Sequence, residues 1–211
     1  MRRILMLLAL AALAAMAIGT ATVLADDGSG DNSSDNTAAC TAPAAQQGDN
    51  SGTDSSGDNR IAFRDDAGTS GDDNVQGTSG EDNQSGDDGN DQLNGEAGDD
   101  HLDGDRGDDE LCGDRGDDDL NGGPGDDDLN GGPGDDTLSG GAGNDDEQGD
   151  AGNDRLTGGP GADVLSGGPG NDRINSRDGR RDRVSCGRGR DVVRADRKDK
   201  VAKSCEHVKR S

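Results

Sequence analysis

A period of nine residues governs the middle of this chain. From Gly68 the sequence divides into twelve consecutive blocks of nine, without insertion or deletion, that end at Asn175. Gly occupies positions one and four of every block, and Asp occupies position six of every block. Position eight is apolar in ten blocks, with Gln84 and Glu147 as the exceptions. Three columns kept in phase over all twelve blocks indicate a solenoid repeat rather than a biased, structureless tract.

Each column has a physical reason. Gly permits positive φ and a close approach of backbones, so positions one to six predict a tight turn. Positions seven to nine read polar, apolar, polar, which suits a very short strand with one side chain pointing inward. Pro124 and its equivalents stand at position three, inside the turn, where we expect that no ladder donor is needed. Two blocks make one coil, and stacked coils form two parallel sheets around the apolar side chains.

The alternation of blocks between two sheets predicts which position-eight residues stack. Odd blocks stack Val75, Leu93, Leu111, Leu129, Glu147 and Leu165. Even blocks stack Gln84, Leu102, Leu120, Leu138, Leu156 and Ile174. Gln84 lies near an end, where water can reach it, but Glu147 lies inside its stack, where an unpaired carboxylate is costly. We therefore expect a weak joint at Glu147, with its side chain swung outward.

Composition excludes several classes of protein. The chain has 46 acidic and 21 basic residues, a formal net charge of −25, one Phe, and neither Trp nor Tyr. Such a chain cannot build a conventional globular core. It also lacks the broad basic surface that nucleic acid or an anionic membrane would require. Residues 26–176 contain 40 acids and 6 bases, so cations are needed to bring the coils together, and hard oxygen ligands favour Ca²⁺.

The N-terminal residues differ from the repeats. Residues 1–25 begin with Arg2 and Arg3, continue in an unbroken apolar run and end in small residues, which predicts a secretory signal peptide cleaved after Ala25. An uncleaved N-terminal anchor is the alternative. Residues 26–67 are rich in Gly, Ser, Asp and Asn and predict a disordered, flexible linker. The repeat domain, residues 68–175, is therefore expected outside the cytoplasm.

The C-terminal segment, residues 176–211, reverses the charge. From Arg177 it has 13 bases and 6 acids, and Asp182, Asp191 and Asp199 are each followed two residues later by Val. This pattern predicts degenerate coils that form a basic cap, as solenoids need atypical ends. A basic patch for an anionic cell-surface polymer is the alternative. Cys186 and Cys205 are about one coil apart and are the favoured disulfide; this leaves Cys40 with Cys112.

The block G-G-x-G-x-D-x-U-x, with U apolar, resembles the calcium-binding nonapeptide of RTX, or haemolysin-type, proteins. The resemblance implies a right-handed parallel β-roll in which several Ca²⁺ ions lie between the turn of one block and the turn two blocks on. It implies that position-six carboxylates and turn carbonyls supply the ligands, with at most about ten sites between twelve turns. The implied metal ligands are Asp73, Asp82, Asp91, Asp100, Asp109, Asp118, Asp127, Asp136, Asp145, Asp154, Asp163 and Asp172.

These observations predict an exported calcium-binding protein whose folding requires Ca²⁺. RTX proteins typically lack cysteines and leave by type I secretion, whereas this chain has cysteines and a predicted N-terminal signal. An extracellular adhesion, surface-layer or cell-wall module stiffened by calcium is the first alternative, and a haemolysin-like effector is the second. No catalytic constellation is recognisable in the sequence, and we expect no enzyme, no nucleic-acid partner and no stable membrane insertion after signal removal.

Overall fold

The computed structural model describes residues 71–211, so the predicted signal peptide, the linker and the first three repeat residues lie outside the described part. Short strands built from positions seven to nine follow one another at every block. They are β1 (Asn74–Gln76), β2 (Asn83–Ser85), β3 (Gln92–Asn94), β4 (His101–Asp103), β5 (Glu110–Cys112), β6 (Asp119–Pro124), β7 (Asp128–Asn130), β8 (Thr137–Ala142), β9 (Asp146–Gln148), β10 (Arg155–Thr157), β11 (Val164–Ser166), β12 (Arg173–Ser176), β13 (Arg183–Ser185), β14 (Val192–Ala195), β15 (Lys200–Val201) and β16 (His207–Arg210). Within residues 71–211 there is no helix long and apolar enough to cross a membrane.

The strands form two parallel sheets that alternate along the chain. Odd-numbered strands make one eight-stranded sheet in the order β1 to β15, and even-numbered strands make the other, from β2 to β16. We call them the odd sheet and the even sheet. Through the repeats every strand pairs with the strand two blocks on, as in Leu111 with Leu129 and Leu102 with Leu120. The predicted all-β parallel β-roll and the predicted stacking order are therefore confirmed.

One core runs between the sheets. Leu93, Leu102, Leu111, Leu120 and the equivalent Leu and Ile of later coils are buried and belong to a single cluster. Their neighbours at positions seven and nine are exposed or half-buried, as the period of two in a strand requires, except Asn94 and Cys112, which are buried. The expectation that water reaches Gln84 is wrong: Gln84 is also buried, and its side-chain amide donates to the carbonyl of Asn94 at 2.9 Å instead.

Glu147 does not swing outward, so this prediction is wrong. Its side chain is completely buried between Leu129 and Leu165 in the odd sheet. One carboxylate oxygen, Oε1, accepts a hydrogen bond from the backbone N–H of Gly140 at 2.9 Å, and this turn amide is what makes the inward position tolerable. The other, Oε2, has no partner in the described structure.

The turns show why positions two and four favour Gly. Position two lies in the left-handed region in most coils, for example φ 106° at Gly123 and φ 66° at Asp105. Position four has positive φ at several coils and leaves no room for a side chain: a Cβ on Gly125 would overlap the carbonyl of Gly107. Sequence reasoning had no rule for the acidic residues at position two, which adopt αL against the usual preference.

Position three does use its N–H where it is not Pro, contrary to the prediction. Arg106 N donates to the carbonyl of Asp87 at 2.9 Å, and Ala97 and Arg115 donate likewise. Pro124 lacks this donor but accepts a hydrogen bond from Gly107 N at 3.2 Å. It lies at the end of β6. Strands β6 and β8 pair into the turn and have six residues each, whereas the strands of the other repeats have three or four.

The C-terminal segment continues the roll as degenerate coils. Val184 and Val201 extend the odd stack, and Val193 and Val208 extend the even stack. Cys186 and Cys205 form the predicted disulfide, with their Cα atoms 5.1 Å apart. Cys112 is buried and is not a free thiol, but Cys40, its predicted partner, lies outside the described residues.

Candidate metal centre

The position-six Asp residues form two ladders, one in the turns of odd blocks and one in the turns of even blocks. In each, the Oδ1 atom of one Asp accepts a hydrogen bond from the backbone N–H of the Asp one coil earlier. The distance is 2.8 Å from Asp100 N to Asp118 Oδ1 and 2.9 Å from Asp118 N to Asp136 Oδ1. We call these rows the Asp ladders. The invariant Asp therefore has a structural duty: it satisfies an otherwise orphaned buried amide in the preceding coil.

The second carboxylate oxygen of these residues has no such duty. The Oδ2 atom is buried and has no hydrogen-bond partner in the described structure at ten of the twelve predicted residues, from Asp91 to Asp172. Asp182 and Asp191, in the cap, share this property. A row of buried, unpaired carboxylate oxygens is costly unless something positive or hydrogen-bonding meets it.

A second oxygen converges on the same space. A Cβ built on Gly104, at position one, would lie 2.5 Å from Asp109 Oδ2 and 2.7 Å from the carbonyl oxygen of Gly122 in the next coil. The same pair of oxygens recurs around Gly77, Gly86, Gly113 and Gly122. Position one is therefore Gly because two oxygen atoms occupy the place of a side chain, and its φ is not in the left-handed region.

Burial makes these carboxylates poor at holding charge alone. Desolvation raises the pKa of Asp118, Asp127 and Asp145 to about 6, and repulsion from neighbouring carboxylates adds to it. The effect is largest near the centre of the even ladder, where desolvation raises the pKa of Asp136 to about 8 and that of Asp154 to about 7. A cation among these oxygens would lower the pKa values again, because it favours the ionised form.

The donor set fits a hard divalent cation. Among residues 71–211 there is no cluster of three or more His, Cys, Asp or Glu side chains that could hold a metal by themselves. The oxygens that do converge are carboxylate Oδ2 atoms and backbone carbonyls, which are the ligands Ca²⁺ uses. Neither thiolate nor imidazole, the ligands typical of Zn²⁺, takes part.

The structure places the twelve predicted residues unequally. Ten have the free Oδ2, whereas Asp82 Oδ2 already accepts the N–H of Thr78 at 2.6 Å and Asp73 is only partly buried. Sequence reasoning did not include Asp182 and Asp191 among the candidates, although Val two residues later placed them in phase. Their Oδ1 atoms accept from Asp163 N and Asp172 N at 3.0 Å, which continues both ladders into the cap.

Comparison with known proteins agrees with this geometry. The family model of the RTX calcium-binding nonapeptide repeat matches the chain in four copies, at residues 67–83, 85–120, 113–146 and 148–182. No curated protein matches the chain. The matched residues are more than half of the chain and contain every turn with a free Oδ2 except that of Asp191. The chain therefore belongs to the RTX calcium-binding nonapeptide repeat family, and calcium binding is the property that its repeats support.

Proposed function

We propose that this protein is exported, binds several Ca²⁺ ions along its two Asp ladders, and folds only when they are bound. The observation that supports this most directly is the row of buried Oδ2 atoms without partners. The repeats have too few apolar residues to order the chain by burial alone, since each coil adds only two inward side chains to the core. Binding of cations to the buried Oδ2 atoms would provide the stabilisation that the small core lacks.

The residues that would hold the ions are the position-six Asp and the position-one Gly of the next coil, as Asp109 and Gly122 illustrate. Asp109 would contribute Oδ2, while its Oδ1 remains bonded to Asp91 N. Gly122 would contribute its carbonyl oxygen. A bound Ca²⁺ supplies the positive charge that lets carboxylates of successive coils stay ionised side by side. The chain's own contribution is to fix the oxygens and to exclude side chains from the space around them.

Export is supported by two separate features. The Cys186–Cys205 disulfide is typical of proteins that leave the reducing cytoplasm. The sequence from Arg2 to Ala25 has the features of a secretory signal. The chain would then cross the membrane unfolded, and it would fold outside the cell when it binds extracellular calcium. In this role the roll is a structural, non-catalytic element.

Circular dichroism of the chain in EDTA and then in millimolar Ca²⁺ tests the proposal. We expect little β-structure in EDTA, a cooperative gain with Ca²⁺, and a much weaker response to Mg²⁺, which demands stricter octahedral geometry. Asp127→Asn should remove one ligand oxygen and raise the calcium midpoint. Asp126→Asn is the matched control, because Asp126 is an exposed neighbour at position five. A β-signal that ignores calcium would contradict the proposal.

A second candidate function is an extracellular interaction module that calcium stiffens. The exposed basic residues of the cap favour it, since arginines such as Arg181 and Arg190 point to solvent beyond an otherwise acidic roll. Binding to cells or to cell-wall polymer that persists in EDTA would indicate that the cap acts without the roll. The haemolysin-like alternative predicts calcium-dependent leakage from vesicles, and no leakage would remove it.

A further inference from the structure

The outer face of the even sheet changes sign along the roll. At β4 and β6 its outward residues include Asp103 and Asp119. From β10 onward they are basic: Arg155 pairs in register with Arg173, and Arg194 pairs with Lys209 in the neighbouring column. We call the outward residues of β10, β12, β14 and β16 the basic face; they are Arg155, Thr157, Arg173, Asn175, Val192, Arg194, His207 and Lys209.

The arginines of the basic face form no ion pair with any residue of the described range 71–211. The ion pairs within residues 71–211 are His101–Asp119 and Arg106–Asp88, and neither includes a residue of this face. Arg155 and Arg173 stand directly opposite each other on adjacent strands, about 4.8 Å apart at the backbone. Like charges placed directly opposite on a sheet destabilise it, so the pair weakens the roll unless an external anion neutralises it.

The odd sheet provides a contrast in the coils that lead up to β10. Its outward column over β5, β7 and β9 is acidic and continuous, with Glu110, Asp128 and Asp146 in register. Desolvation and these neighbours raise the pKa of Asp128 to about 6. Strands β9 and β10 belong to the same coil, so Asp146 on one face corresponds to Arg155 on the other. Within that coil the two faces carry opposite charges. Beyond it the odd-sheet column continues as Val164, Arg183 and Lys200, so the odd sheet also becomes basic, with fewer cations than the even sheet.

The chemistry of the basic face selects the partner. Guanidinium groups bind carboxylate or similar anions through paired hydrogen bonds. Thr157 and Asn175 lie beside Arg155 and Arg173 and can hydrogen-bond to hydroxyl groups. Among these eight outward side chains only Val192 is apolar, and 37% of it is exposed, so the face does not suit an apolar protein surface. Without Trp or Tyr it also lacks the stacking platforms that single-stranded nucleic acid uses.

We propose that the basic face binds a linear anionic polysaccharide lying along the roll axis, with successive carboxylates on Arg155, Arg173 and Arg194. The repeat of the strands places a cation at nearly every step of about 4.8 Å, which is close to the length of one sugar unit. This inference rests on the proposed function, because the face exists only when the roll is folded by calcium. It assigns the anionic partner to the outer face of the even sheet, whereas the basic composition of the cap does not locate a binding surface.

Binding of an oligogalacturonate to the full chain in saturating Ca²⁺, measured by calorimetry, tests the inference. The variant Arg155→Gln/Arg173→Gln removes two cations from the even sheet. The matched control, Arg183→Gln/Lys200→Gln, removes two cations from the odd sheet and changes the net charge equally. We expect the first variant to weaken binding about tenfold or more and the control to weaken it less than about threefold.

The outcomes separate this inference from the calcium proposal. Calcium-induced folding, followed by circular dichroism, should be retained in both variants, because neither pair belongs to the Asp ladders. An unmodified chain that does not respond to calcium would contradict the calcium proposal rather than this one. No binding by the folded chain, or equal loss in both variants, would overturn the basic face. Equal affinity for single-stranded DNA would overturn the assignment to a polysaccharide. Weakening by added NaCl is expected for exposed charges.

Discussion

Replacement of Glu147 by Leu offers the sharpest test of the core. Leu would complete the odd stack between Leu129 and Leu165, where the carboxyl is now fully buried with Oε2 unpaired. Burying Leu contributes about 2 kcal/mol. Removing the unpaired Oε2 gains about 1–3 kcal/mol, and leaving Gly140 N without its acceptor costs about as much. Gln keeps the shape of the Glu side chain. We therefore expect the free energy of unfolding of the Glu147→Leu variant to be about 2 kcal/mol higher than that of the Glu147→Gln variant.

The titration of Glu147 adds a dependence on pH. Burial raises the pKa of Glu147 well above its ordinary value of 4.5. A carboxyl with a raised folded-state pKa contributes its stability below the unfolded-state pKa and loses it as the pH rises toward the folded-state pKa. The advantage of Glu147→Gln over the unmodified chain should therefore widen by up to about 1.4 kcal/mol per pH unit above about pH 4.5. The difference between the Leu and Gln variants should not change with pH.

Urea unfolding in saturating Ca²⁺, at several pH values between about 5 and 8, is the appropriate assay. A calcium titration is less sensitive: with about ten ions bound per chain, about 2 kcal/mol moves the midpoint by less than about 1.5-fold, although in the direction of less calcium. Protonation of the other Asp-ladder residues affects all three proteins alike and cancels in the differences, whereas repulsion from Asp145 and Asp163 acts on Glu147 itself and is part of the cause of its raised pKa. A difference between the Gln variant and the unmodified chain that does not change with pH would refute the raised pKa of Glu147. A less stable Leu variant would refute the stacking argument.

Four other outcomes follow from the structure. Gly104→Ala should lower the calcium affinity, measured by calorimetry, because its Cβ would meet two ligand oxygens. Arg106→Ala, in the same turn, removes only an exposed ion pair and should leave the calcium affinity unchanged. Leu120→Ala should cost about 2–5 kcal/mol in urea unfolding. Loss of the Cys186–Cys205 disulfide should cost about 3 kcal/mol and appear as faster hydrogen exchange in the last coils. Finally, because desolvation raises the pKa values of the buried Asp residues, with Asp136 reaching about 8, the calcium-free chain should show more β-structure near pH 4 than at pH 8 by circular dichroism.

The architecture could be predicted because the repeat leaves little freedom. A nonapeptide block with one inward side chain fixes the period of the strands, and two blocks fix the coil. The register Val75 to Leu93 and Gln84 to Leu102 follows from counting alone. The same counting placed Cys186 and Cys205 one coil apart. Charge and composition could not have shown any of this, since both favour disorder.

What could not be predicted depends on atoms rather than on residue types. The sequence does not show that one oxygen of each position-six Asp is already used by an amide, as in Asp118, which accepts from Asp100 N. It does not show that the backbone N–H of Gly140 can donate a hydrogen bond to Glu147. This hydrogen bond is the reason that the side chain points inward and not outward as predicted. Counting does place Arg155 and Arg173 on one face, since they are 18 residues apart, but it does not show that neither forms an ion pair with a carboxylate within residues 71–211.

The alternation between sheets gives the chain a parity. Adding or removing two nonapeptides, one full coil, would leave every later residue on its own sheet, and only the length of the roll would change. A single nonapeptide inserted before Arg155 would instead transfer everything after it to the opposite sheet. The basic face would then continue the acidic column that ends at Asp146. If both faces bind partners, only an even number of repeats can be gained or lost without moving later residues to the opposite sheet. The length of the roll would then change only by whole coils.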